Sequence, residues 1–399
     1  MTEVRGDERV IVRGEGSHVW DEDGTRLLDA TASLWYCNVG HGRREIVDAV
    51  EAQMRELETY HCFGPFATPA ALQVAERVAA IAPVDDARVF LTSGGGDSVE
   101  TAAKLARRYW DVVGEPSRRV IVTRELCYHG LHGFGTGLAG LDFNRTGQGE
   151  LIADVARVAT NDAGDLERLV AERGAEAIAA FFCEPIVGAG GVIHPADGYL
   201  DDVQRICAEN GILFVVDEVI TGFGRTGETF ASDRFGLRPD VMLMAKGITS
   251  GYMPLGAVAI AERVWAPFWG EGGGMFHHGI TYSGHASACA AAIPNLEILE
   301  REELAGRARE LEGALFAALE PLSEHPLVAD VRAGIGLLGG VQLQDPADAR
   351  KLVTQCLDRG VIVRPIAGGT LQISPPLVIE REDVELIGDA LAAGLDAIA

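Results

Sequence analysis

Five short apolar runs, each ending at a loop with chemically equipped residues, constrain this chain more than any other feature. They are Val89–Leu91, Val120–Val122, Ala179–Cys183, Leu213–Val216 and Val241–Met244. Stretches with helical spacing of apolar residues fall among them, at 97–110, 164–173 and 200–210. Strands apolar on both faces, alternating with helices, imply a parallel sheet covered on both sides. In such a sheet ligands bind at the carboxyl ends of the strands. The loops that follow the runs are therefore where chemistry is expected.

The flanks read differently. Residues 9–30 alternate in short apolar pieces around an Asp21-Glu22-Asp23-Gly24 turn and predict a hairpin. Helices are expected over 43–59 and 70–82. After about residue 290 two long helices, 286–320 and 381–397, flank short β pieces at 335–343, 361–364 and 371–373, a pattern of a smaller α+β domain. A length of 399 residues accommodates both units. The formal charge of −25 makes the chain a poor ligand for nucleic acid or an anionic membrane. No apolar stretch approaches the ~20 residues that span a bilayer. The opening MTEVRGDERVIVRGEG lacks the apolar core of a signal peptide. Seven cysteines, widely spaced and without a Cys-x-x-Cys pair, read as reduced thiols of a cytoplasmic protein with no metal site.

Four loops carry the chemistry. Ser93-Gly94-Gly95-Gly96 joins the first run to a helix, where free N–H groups and the helix dipole make an anion cradle. It is neither a dinucleotide fingerprint nor a Walker loop, and a plain tight turn would use the same residues. Asp217-Glu218 closes the fourth run, as a cofactor carboxylate or an ordinary cap. Lys246-Gly247 closes the fifth, where an apolar setting would turn the lysine into a nucleophile for carbonyls. Tyr128-His129-Gly130 follows the second. A fifth segment, His278–His285, adds hydroxyls before a helix. An anion cradle, a stacking aromatic, an acid and a strand-end lysine are together what pyridoxal 5′-phosphate (PLP) requires.

Longer motifs sharpen this. LWYCNVGHGRREI (34–46), SGGGDSVETAAKLARRYW (93–110), YHG (128–130), EPIVGAGGVIHPADGYL (184–200), DEVITGFGRTG (217–227), AKGITSGYMPLGAV (245–258), HGITYSGH (278–285) and VRPIAGG with SPPLVI (363–379) run through nearly the whole chain. With Asp217 and Lys246 standing 246 − 217 = 29 residues apart, the chain resembles the class III aminotransferases of the fold-type-I PLP enzymes.

The resemblance implies an α/β fold: a large domain over 46–290 with a mostly parallel seven-stranded sheet, and a small α+β domain built from 1–45 and 291–399. It implies that Lys246 carries the cofactor and shuttles a proton, and that Asp217 pairs with the pyridine nitrogen. Tyr128 and Val219 would flank the ring, with His129 and Glu184 beside it. Gly94, Gly95 and Gly96 would contact the phosphate, joined by Thr281 from a second subunit. It therefore implies a homodimer with shared active sites, a tetramer being the larger alternative.

Two departures stand out. The family often has Ser where Gly96 stands, so a hydroxyl contact worth ~1 kcal/mol is expected to be missing. Ornithine- and 4-aminobutyrate-type members pair a Glu with an Arg at the positions of Ala189 and Gln372. Their absence resembles the ω-amino acid:pyruvate branch, which implies Trp35, Phe63 and Ala189 in the substrate pocket and Arg364 as the substrate-carboxylate ligand. Arg364 is expected on a mobile Pro-Gly-Gly loop. The implied activity is amino transfer from a primary amine or ω-amino acid to a keto acid such as pyruvate, by a ping-pong route. A 7,8-diaminopelargonate-type aminotransferase, and an aminomutase or racemase on the same scaffold, are the alternatives.

Overall fold

The structure is a computed structural model that describes residues 9–399; the first eight residues of the expected small domain lie outside the described residues. Its centre is a seven-stranded sheet in the order Arg88–Thr92, Gly256–Ile260, Val241–Met244, Leu213–Asp217, Ile178–Cys183, Val120–Arg124, Val155–Val158. Gly256–Ile260 runs antiparallel to both its neighbours, and the other six strands share one direction.

The apolar runs are continuous because both faces are covered. Every residue of Ile178–Cys183, Leu213–Asp217 and Val241–Met244 is buried. Side chains alternate between faces. Ala180, Phe182, Val215 and Leu243 pack with Val99, Ala103 and Ala106 of the helix Gly95–Val112. Phe181, Cys183, Phe214 and Val216 pack with Val203 and Ile206 of Tyr199–Glu209 on the other face. Met242, Met244 and Ala257 meet Val74 of Pro69–Ile81 and Ala292 of Ala286–Arg301. Full burial of one such Val, Leu, Met or Phe side chain stabilises the fold by about 1.5–3 kcal/mol.

The five expected strands are present, and two further ones join them. Gly256–Ile260 is a continuous apolar run, Gly-Ala-Val-Ala-Ile, that is not among the five expected strands, and Val155–Val158 is an edge strand that alternates buried and half-buried around Arg157. The expected helix over 286–320 is two helices, Ala286–Arg301 and Leu304–Leu319. Glu303, with φ of +49°, breaks the helical hydrogen-bond ladder between them. The expected β piece at 335–343 is a hairpin of Val328–Ile335 with Leu338–Leu343, and an additional helix covers Asp348–Asp358.

The 9–30 segment makes three strands, Ile11–Glu15, His18–Asp21 and Arg26–Asp29. Arg26–Asp29 pairs in parallel with Val361–Ile362, so the two ends of the chain share one sheet. Leu28, Ile46, Leu315, Leu371 and Leu391 meet in a common core beneath it.

Candidate functional site

Five of the parallel strands end on one edge of the sheet, and the loops after them enclose a cavity of about 430 Å³. Ser93 to Gly96, Tyr128, His129, Glu184, Asp217, Val219 and Lys246 all line it. These residues are up to 153 positions apart in the sequence (246 − 93); the common strand direction brings them together.

The cradle is built by the turn into Gly95–Val112. Ser98, fully buried, stitches it down: its Oγ lies 3.1 Å from Gly94 O and 3.3 Å from Met244 O, so its one proton is shared between the two carbonyls. That second bond ties the cradle to the strand that leads to Lys246. A Cβ on Gly94 would meet nothing within 4 Å, leaving that side open, whereas one on Gly95 would press on Val219 at 3.1 Å. On Gly96 it would lie 2.9 Å from the His132 imidazole. His132 thus occupies the space that a side chain at position 96 would need and would have to shift to admit one.

Lys246 opens a 3-10 turn with φ of +47°. The next residue must be Gly, because a Cβ on Gly247 would approach Asn38 Nδ2 to 2.7 Å and the Phe223 side chain to 2.8 Å. Burial lowers the Lys246 ammonium to a pKa of about 8, against the pull of Asp217 and Glu184 in the other direction.

Asp217 is held from two sides. Its Oδ2 is 2.7 Å from His129 Nδ1, and its Oδ1 accepts from the Val219 N–H at 3.1 Å. Burial pulls the proton affinity of His129 down, but Cys127 and Asp217 together raise it well above the usual imidazole value. Glu184 is raised by burial, with Asp217 adding to the effect, while its carboxyl accepts from the N–H groups of Tyr128 at 3.0 Å and Gly188 at 2.9 Å. Glu184 therefore fixes the backbone that presents Tyr128.

A second cavity of about 680 Å³ adjoins the first and shares Tyr128, Ile220 and Lys246 with it. Trp35, Ala189 and Arg364 line it. Trp35 lies with its ring 5.7 Å from Lys246 Nζ and 4.9 Å from the Arg364 guanidinium. Leu131, Leu141 and Phe143 form an apolar side of this cavity that the sequence did not mark as functional. Their only signal is large apolar residues shortly after the Tyr128-His129-Gly130 motif. No Asp or Glu lines the cavity among the described residues.

Thr281 and Phe63 lie apart from both cavities. Both are exposed, and Phe63 packs against Gly279, whose Cβ would stand 2.5 Å from the ring.

The residues fit PLP. The open side of Gly94 and the Ser93 Oγ, buried at the cradle without a hydrogen-bond partner, suit an anion. The depressed lysine suits an aldehyde, and Asp217 suits a protonated ring nitrogen.

Comparison with known proteins agrees. Residues 2–395 match the family profile of aminotransferase class-III. The putrescine–pyruvate aminotransferase of Pseudomonas aeruginosa is 38% identical over 94% of this chain and 88% of its own. The omega-aminotransferase of Caulobacter vibrioides is 35% identical over 94% and 91%. An amine transaminase from an uncultivated Pseudomonas species, solved in its PLP-bound form, superposes with a TM-score of 0.95 at 37% identity, covering 100% of this chain and 97% of that one. The chain that builds this lysine-and-carboxylate cavity belongs to the class-III aminotransferases, enzymes that use PLP to transfer amino groups.

Proposed function

We propose that this enzyme takes the amino group of a primary amine or ω-amino acid and delivers it to pyruvate, with Lys246 and Asp217 at the reacting centre and Arg364 as the ligand of the substrate carboxylate. One observation carries the substrate reading. Arg364 is half-buried in the cavity next to Lys246, and no carboxylate among the described residues lies within ion-pair distance of it. A partly desolvated, unneutralised guanidinium is matched by an anionic ligand. The apolar side built by Leu131, Leu141 and Phe143 suits the carbon chain of an amine donor. The P. aeruginosa and C. vibrioides relatives, by their names, support the same pairing of donor and acceptor.

Bound PLP supplies an electron sink for negative charge developing at the carbon that carries nitrogen. The protein does the rest. Lys246 Nζ, with a pKa of about 8, takes up and returns a proton near neutral pH. Asp217, 2.7 Å from His129 Nδ1 and accepting from the Val219 N–H, would stabilise positive charge on the ring nitrogen of the cofactor. The cradle N–H groups would hold the phosphate, and Tyr128, fixed through Glu184, bounds the site.

The homodimer reading is supported by a cluster of Tyr60, His61, Phe63 and Phe66, its three large rings exposed, with Phe63 against Gly279, two residues before Thr281. A large domain over 46–290 and a small one from both chain ends is supported by the sheet that Arg26–Asp29 shares with Val361–Ile362. Seven unpaired thiols support a cytoplasmic setting. Among the described residues no helix is long and apolar enough to cross a membrane.

A panel of amine donors with pyruvate and 2-oxoglutarate, read by alanine and glutamate formation, tests the activity. Turnover without any keto acid would instead indicate an isomerase. Arg364→Ala is expected to raise the KM for pyruvate at least about tenfold, a loss of ~1.4 kcal/mol in binding. An unchanged KM removes the clamp.

A further inference from the structure

Lys246 adopts a backbone conformation that a lysine rarely takes, and something must keep it there. Its φ is +47° and that of Ser250 is +50°, so both ends of this segment lie in the left-handed region. The bonds within the turn are slack. Ile248 N–H donates to Ala245 O at 3.1 Å, Thr249 N–H to Lys246 O at 3.4 Å and Ser250 N–H to Gly247 O at 3.4 Å. Shorter bonds come from outside the turn. Asn295, on the helix Ala286–Arg301, donates from Nδ2 to Gly247 O at 2.8 Å and to Ile248 O at 3.0 Å. Both of its amide hydrogens thus go to the two carbonyls that follow Lys246.

Packing does not call for an amide at this position. Asn295 is fully buried, as are its helix neighbours Ala291, Ala292 and Ile298, all apolar. Its Oδ1 is buried with no hydrogen-bond partner. A buried unpaired oxygen destabilises a fold, and a leucine of similar shape would avoid it. Turning the amide over would not help, since an oxygen set against two carbonyls can bond to neither. What Nδ2 holds therefore accounts for the asparagine.

We propose that Asn295 is a positioning residue: its Nδ2 fixes the two carbonyls after Lys246, keeps the turn in its left-handed start, and so aims Lys246 Nζ into the cofactor cavity. The inference rests on the reading of Lys246 as the lysine that carries PLP. Without the amide both carbonyls lose their shorter bonds. The turn can then relax to an ordinary negative φ at Lys246, which swings the Cα–Cβ bond and carries Nζ away from its place. Asp217, Glu184 and Arg364 act on Nζ, and Tyr36, Tyr128 and His129 line the same cavity. None of these groups is altered by a change at position 295, so a shift in the titration of Lys246 reports its displacement. A displaced Nζ is less desolvated and titrates higher.

Asn295→Leu keeps the shape and removes both donors. It is compared with wild type and with Ile298→Ala, a packing change in the same helix that faces a different part of the core. Three quantities are read on the full chain: the thermal midpoint, kcat and KM of the holoenzyme with benzylamine and pyruvate, and the pH at which PLP capture by cofactor-free enzyme is half-maximal. Asn295→Leu is expected to keep the thermal midpoint near that of wild type. Its kcat should fall about tenfold or more in both half reactions with KM little changed, as for a misplaced reacting group. Its capture midpoint should move up from near pH 8 by about one unit or more. Ile298→Ala should lower the thermal midpoint and leave the capture midpoint where it is. If Asn295→Leu does not fold, Asn295→Asp decides, since an ionised carboxylate of the same shape offers no donor and should move kcat and the capture midpoint in the same direction. An unmoved capture midpoint, or a loss of kcat that only follows thermal stability as in Ile298→Ala, overturns the proposal. If borohydride fixes PLP on Lys246 while changes at position 295 are silent, the holding role alone falls. If it fixes PLP elsewhere, the reading of Lys246 falls and takes this inference with it.

Discussion

At the scale of single residues, Lys246 shows how the fold sets reactivity. An exposed lysine keeps its proton far above neutrality, while burial brings Lys246 down to about 8 from 10.5. The direction has two consequences. Below pH 8 the folded lysine is charged, and its nucleophilic fraction falls about tenfold for each further pH unit. Capture of PLP by cofactor-free enzyme, followed by absorbance, should therefore slow steeply below pH 8 and level above it. Borohydride should then fix the cofactor on Lys246 and not on Lys104 or Lys351, the two other lysines. A rate that keeps climbing toward pH 10 would show an unshifted lysine. The stability linkage has the matching sign. Because the folded pKa lies below the unfolded one, the cofactor-free protein should gain stability as pH rises from about 8 toward 10.5.

At the scale of the element, the N-terminus of Gly95–Val112 is the part most altered by neighbours. Ser98 anchors it to Gly94 O and Met244 O, and His132 occupies the space in front of Gly96. The His132 side chain is 55% exposed and pairs with Asp97 at 3.5 Å, so it can be trimmed without opening the core. Gly96→Ser alone must push the imidazole aside, and it is expected to leave PLP affinity unchanged or weaker. Combined with His132→Ala, the new hydroxyl has room, and the dissociation constant for PLP should fall several-fold below that of His132→Ala, about 1 kcal/mol for one hydrogen bond. Equilibrium dialysis of the four proteins checks this. A tighter single variant would show that His132 is not what excludes a side chain at position 96.

At the scale of the whole molecule, the exposed ring cluster of Tyr60, His61, Phe63 and Phe66 sets the assembly question. His61 and Phe66 meet edge to face at 5.3 Å, so these aromatics already form a packed patch and not scattered side chains. Contiguous exposed apolar surface of this kind marks an interface. Sedimentation velocity is expected to give a dimer, and Phe66→Glu to shift it toward monomer with faster loss of PLP, since Thr281 lies beside the patch and outside its own cavity. A wild-type monomer that retains PLP would end the shared-site reading.

What the sequence determined by itself follows from local rules. Continuous apolar runs named the buried parallel strands, because only strands covered on both faces need no polar side. The strand-end placement of Lys246, Asp217, His129 and the glycine cradle located the site, because a parallel sheet gathers its carboxyl ends on one edge. Local rules failed where neighbours decide. Gly256–Ile260 is apolar, but its antiparallel place between Arg88–Thr92 and Val241–Met244 exists only as pairing. Glu303 breaks a helix that its own periodicity would continue. Arg364 was expected on a mobile loop because Pro and two Gly follow it, and strand pairing with Gln372 holds it instead. The depressed lysine, the His132 ring in front of Gly96 and the Gln372 contact with Arg364 all depend on distances between residues remote in the chain. Burial and cross-strand register are properties of the assembled molecule, so only the tertiary structure could decide them.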